Sequence, residues 1–274
     1  MKALSGILAG TVILAFSIQA SAGQPLEDSG KALLKKNQKA VIAVKLAVKE
    51  SISFEGQSTR KQDSIIDVTG TCLDENGLIV VSLRTIDKSE MLGSLNLNFE
   101  DETIKSKFES EITDVKLIIP GSPEIPGKVV LRDKDLDLAF FRPLNKTDTK
   151  FEHVDMVKSA KLEILEQFFI IDRLGKEEGR VPVILASRVG AVLEKPRTFY
   201  VSGDLITSMT LGSPAFSIDG KFIGIVVYRV QPGTGRARNG VDSMGSQSGP
   251  MPGVIPVSEI LDVLKQLPAE KIEK

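Results

Sequence analysis

From Val41 onward the chain is divided into short runs of β-branched and apolar residues, each closed by turn residues, and this punctuation restricts its fold more than any other feature. Residues 41–49 alternate strictly, with Val41, Ala43, Lys45, Ala47 and Lys49 on one side and Ile42, Val44, Leu46 and Val48 on the other, the period of a strand. Runs of the same kind recur at 65–72, 78–82, 115–119, 128–131 and 138–142, and again at 168–172, 181–192, 198–202, 215–218, 222–229 and 253–256. Short strands at this spacing suit closed antiparallel sheets, because closure removes open edges. The two groups, of about six runs each, predict an all-β chain of two six-stranded antiparallel β-barrels, barrel one over about 40–145 and barrel two over about 160–256. The period then changes: Ile260, Leu261, Leu264 and Leu267 recur at helical spacing, so a C-terminal helix over 257–267 completes a domain of 40–268, with 269–274 as a tail.

Composition narrows the function classes. Of 274 residues, 42% are hydrophobic, and 35 Lys and Arg against 36 Asp and Glu leave a net charge of -1, which gives no attraction for a polyanion. With no tryptophan and only 5% aromatic residues, a nucleic-acid surface is excluded as a reading. Residues 1–22 have the layout of a secretory signal: Lys2, an apolar run over 7–18, and the small-residue end Ala20-Ser21-Ala22. About 12 apolar residues are too few for the ~20 that a membrane span needs. Cleavage after Ala22 and a periplasmic or secreted location are therefore expected, with no membrane span left in the mature chain. Residues 23–39 form a polar segment in which Asp28-Ser29-Gly30 reads as the cap of a short helix over 31–36, packed on the outside of the domain. Cys72 is the only cysteine, so no intramolecular disulfide forms, and its setting in an apolar run makes it a buried strand residue. No cluster of His, Cys and carboxylate suggests a metal site, and no cofactor motif is present.

Three motifs occur in order. The first, Thr69-Gly70-Thr71-Cys72-Leu73-Asp74-Glu75-Asn76-Gly77 followed by the apolar run to Ser82-Leu83-Arg84, is a strand, a turn and a second strand. Asp135-Leu136-Asp137-Leu138-Ala139 enters another strand. The third runs from Met209-Thr210-Leu211-Gly212-Ser213-Pro214 through Asp219-Gly220-Lys221 to Ile223-Gly224-Ile225. Together they resemble the trypsin-like peptidases of the Deg/HtrA type (peptidase S1), which carry Gly-Asn-Ser-Gly-Gly-Pro in the last motif, Asp-Leu-Ala in the second, and the catalytic histidine at the end of the first. Gly253-Val254-Ile255-Pro256 resembles that family's last strand, so the likeness spans about 40–267. The PDZ module that often follows such a domain has no counterpart here.

The resemblance places Arg84 at the position of the catalytic histidine, Asp137 at the triad carboxylate and Leu211 at the nucleophilic serine. Met209, Thr210 and Leu211 take the oxyanion loop, with Met209 where the family has a glycine. Arginine stays protonated and has no lone pair to accept a proton, and leucine offers no nucleophile. Losing either the serine or the histidine of such a triad costs about 10⁶ in kcat, or about 8 kcal/mol. The expectation is an exported trypsin-like serine protease homologue that is catalytically inactive and serves binding. In that fold Arg84 faces Asp137, and a pair between guanidinium and carboxylate would satisfy the buried acid.

Two alternatives stay open at this point. One is an active serine endopeptidase with a non-standard nucleophile, Ser213, assisted by His153, the only histidine, or by Lys221 in a Ser–Lys dyad. The other is a structural domain of the cell envelope. A protein or peptide partner is expected through the vestigial cleft or the Gly-, Ser- and Pro-rich loop 231–252, which the family fold puts beside the specificity pocket. The charged stretch 88–114 reads as an excursion between strands of barrel one.

Overall fold

The structure is a computed structural model of the chain, and it describes residues 24–54, 59–89, 96–99, 102–203, 210–229 and 251–267. The signal-like segment 1–22, Met209 and most of the 231–252 loop lie outside these residues.

Barrel one is built from β1 (Val41–Phe54), β2 (Arg60–Cys72), β3 (Ile79–Ser82), β4 (Asn96–Phe99), β5 (Glu102–Ile118), β6 (Ile125–Asp133) and β7 (Leu138–Pro143). The strands run in the order β1-β2-β3-β7-β6-β5, and pairing of β1 with β5 closes the ring, leaving β4 on the outer side of β5. The second ring contains β8 (Gln167–Arg173), β9 (Pro182–Leu193), β10 (Phe199–Ser202), β11 (Pro214–Ser217), β12 (Phe222–Arg229) and β13 (Met251–Pro256), ordered β10-β13-β12-β11-β8-β9. Two six-stranded antiparallel barrels are thus what the sequence pattern predicts.

Alternation accounts for the cores. Ile42, Val44, Leu46 and Val48 of β1 are buried with Ile79, Val81, Leu117 and Phe141 inside barrel one. The other phase of the strands, with Val41, Val80, Leu138 and Phe140, packs against Phe169, Phe216, Phe222 and Ile255 of barrel two. That shared layer joins the barrels and takes in the C-terminal helix α2 (Val257–Leu264) through Val257, Ile260 and Val263.

Two local expectations are corrected. The N-terminal helix, α1, runs over Gln24–Asn37, so Asp28-Ser29-Gly30 lies within it and does not cap it. A Cβ on Gly30 would stand 3.2 Å from the Phe169 ring, so this glycine serves close packing of the helix on barrel two. The stretch 88–114 is no mere excursion: from Glu102 it is strand, paired to β1 as far as Phe54↔Ser106. Its charges fall at every second position, where Lys107, Glu109 and Glu111 are exposed, while Phe108, Ser110 and Ile112 between them are partly covered.

Candidate functional site

Asp137 sits at the entry to β7 with φ 58°, a left-handed conformation for a residue with a side chain, and is almost fully buried. The turn is fixed by the Leu83 N–H donating to the Asp137 carbonyl at 2.8 Å. Its carboxylate collects donors from both barrels. Oδ1 accepts the Arg84 main-chain N–H at 2.8 Å, and Oδ2 accepts the Ser82 hydroxyl at 2.5 Å and the Tyr228 N–H at 2.9 Å. Burial pushes its pKa up from 3.8 to about 6, and the bonds from Ser82, Tyr228 and Arg84 hold it from rising further.

The expected pair between the Arg84 guanidinium and Asp137 is not what forms. The contact runs through the arginine's backbone, and its shielded Nε has no hydrogen-bond partner. Three donors already occupy the carboxylate, so the guanidinium acts on it only through its charge, the weakest of the influences on that pKa. Around this point Leu83, Arg84, Asp87, Lys134 and Asp137 line a recess of about 10 Å³, room for about one water molecule.

Leu211 reaches the same junction from barrel two, but its side chain turns to packing. It is buried with Phe168, Ile170, Tyr200, Ala215 and Val226 in a cluster made from barrel two and the segment leading into it. The next residue explains the loop's course. Gly212 has φ 88°, and a Cβ there would stand 2.2 Å from the Thr69 carbonyl oxygen and 3.5 Å from the Ser82 nitrogen, so barrel one lies directly against it. The Thr71 hydroxyl donates to the Gly212 carbonyl at 2.8 Å, and the Gly212 N–H donates to Val226 at 2.8 Å. Arg84, Asp137 and the Leu211 loop therefore meet where the barrels join. Thr210 is buried beside them.

Ser213 is fully buried, and its hydroxyl donates to Asp172 Oδ1 at 2.9 Å. Burial raises the pKa of Asp172, while bonds from the Thr69 hydroxyl, the Arg173 backbone and Ser213 oppose the rise. The groups suggested as its activators are elsewhere. His153 is exposed on the segment between the barrels, with Nδ1 3.2 Å from the Phe151 carbonyl, and that segment is bonded to Cys72 and Glu75 of barrel one. Lys221 is 53% exposed and pairs with Asp219 at 2.7 Å. Cys72 is buried, and burial pushes its thiol up to about 12, which leaves it unreactive. No group of residues fit to hold a metal ion is found among the described residues.

Sequence reasoning missed Ser82, Tyr228, Thr69, Thr71 and Asp172. Ser82 stands two residues before Arg84 and was open to notice as a polar break in an apolar run. Tyr228 donates through its main chain, which no side-chain motif reveals.

No family model and no curated protein matches the sequence. Among solved structures, the chain is similar to the MamO protease domain from Magnetospirillum magneticum in its apo form, at 16% identity over 83% of this chain and 96% of that one, with a TM-score of 0.50. It is also similar to Deg5, at 16% identity over 86% of this chain and 92% of that one, with a TM-score of 0.54. The fold is therefore the trypsin-like double barrel of Deg/HtrA-type protease domains.

Proposed function

We propose that this chain is an exported homologue of the trypsin-like serine proteases that has lost peptide-bond hydrolysis and acts as a binding module. The reaction needs a hydroxyl nucleophile, an imidazole that accepts its proton, and a carboxylate that holds the imidazole in the right tautomer. Only the carboxylate position, Asp137, has a side chain of the required kind. The observation that carries the proposal is the use made of the nucleophile position: Leu211 is buried as part of the barrel-two core, and the nearest hydroxyl along the loop, Ser213, is sealed onto Asp172. A proton taken from Ser213 would pass to a buried carboxylate with no imidazole beside it, and no solvent path reaches the hydroxyl.

On this reading the double barrel supports the surface and loops, and 231–252 or the vestigial cleft receives a protein or peptide partner. Export rests on residues 1–22, whose layout is that of a cleavable signal. The experiment is incubation of the mature chain with an unfolded substrate such as casein, followed by mass spectrometry for new N-termini. None above the buffer control is expected. Cleavage that is lost in Ser213→Ala would overturn the proposal.

A further inference from the structure

Strand β2 is paired along its length on one side only. It meets β1 from Arg60 to Thr71, whereas among the described residues β3 reaches its other side only at Thr71 and Cys72. From Arg60 to Val68 a row of backbone donors and acceptors therefore faces outward, a template for another strand. Two side chains along this edge lack what the monomer should give them. Ile65 is 72% exposed. The Ser64 hydroxyl is shielded from solvent yet has no hydrogen-bond partner. Lys61 and Asp63 point to the same outer face as Ile65 and Asp67, so one end of the edge is basic and the rest acidic.

We propose that this edge is a self-association surface, on which β2 of a second copy pairs antiparallel about a twofold axis at Ser64. A symmetric antiparallel pair sets residues of equal parity opposite each other, so few registers are available. With the axis at Ser64, each Lys61 lies opposite the other copy's Asp67, and Ile65 lies diagonal to the other copy's Ile65, within reach across the strands. The two Ser64 hydroxyls face each other and supply the partner that each lacks. Arg180, which already contacts Asp67, remains at the rim of that ion pair. With the axis one residue earlier, Asp63 meets Asp63; one residue later, Asp63 meets Asp67 twice, and like charges directly opposite destabilise a pair. Opposite charges thus select the Ser64 register over both of its neighbours.

Sedimentation velocity of the mature chain over a concentration series is expected to show a monomer–dimer equilibrium, and Ile65→Asp, which sets a carboxylate directly opposite the other copy's Asp63, to shift it to monomer while the circular dichroism spectrum stays unchanged. Register is read by disulfide trapping, since residues on the axis of an antiparallel pair approach to about 4.5–5.5 Å between Cα atoms, within disulfide reach. Ser64→Cys is expected to form a covalent dimer under mild oxidation, and Gln62→Cys is not. The native Cys72 is buried and stays silent. A chain that remains monomeric at millimolar concentration would overturn the proposal and make the charges on β2 a device against pairing. A dimer unaffected by Ile65→Asp, or one trapped through Gln62→Cys in place of Ser64→Cys, would overturn it equally.

Discussion

Asp137 is a buried carboxylate at the barrel junction, and its three donors decide how it responds to mutation and pH. Arg84→Ala preserves the main-chain N–H on Oδ1, so it is expected to cost less than about 1 kcal/mol in chemical denaturation. Ser82→Ala removes a hydroxyl donor from a buried charge and is expected to cost about 1.5–3 kcal/mol. The order of these two variants tests the backbone contact against the guanidinium pair expected from sequence. The pH response follows from a folded-state pKa of about 6 against an ordinary 3.8. Between these values the folded protein holds a proton that the unfolded chain has released, so this group's contribution to stability is greatest below about pH 4 and is lost as pH rises through 6. The difference is about 3 kcal/mol. Denaturation at pH 4.5 and pH 7 should therefore show a smaller decline with pH in Asp137→Asn than in the natural chain.

The loop carrying Leu211 joins the barrels at a glycine that no other residue can replace without displacing the Thr69 carbonyl. Returning serine to position 211 should not restore chemistry. Leu211→Ser removes a buried side chain from the barrel-two cluster and is expected to cost about 2–5 kcal/mol, measured by denaturation, with no gain in hydrolysis. The loop was legible in the sequence because Pro214 and Gly220 fix its register, and the strands were legible because apolar residues alternate over most of them. The long β5 was not, since its outward face holds charges at Lys107, Glu109 and Glu111 and its inward face is only half covered, which hid the period among polar residues. The start of α1 was misplaced for a related reason. Gly30 looks like a helix boundary in sequence, and only the Phe169 ring against it shows a packing contact.

At the scale of the whole molecule, two barrels, a shared apolar layer and two terminal helices account for the fold without any contribution from catalysis. Arg84, Asp137 and the Leu211 loop meet at the barrel junction, where Asp137 and Gly212 serve cohesion between the halves. The proposed export adds a separate expectation: intact mass of the protein recovered from outside the cytoplasm should correspond to a chain beginning at Gly23. The proposed loss of serine protease chemistry is tested most directly by treating the folded mature chain with a fluorophosphonate probe, with trypsin as a positive control, and measuring intact mass. No adduct is predicted, because Ser213 is sealed onto Asp172 and position 211 is a hydrocarbon. A stoichiometric adduct mapping to Ser213, and abolished by prior unfolding, would contradict the proposed inactivity.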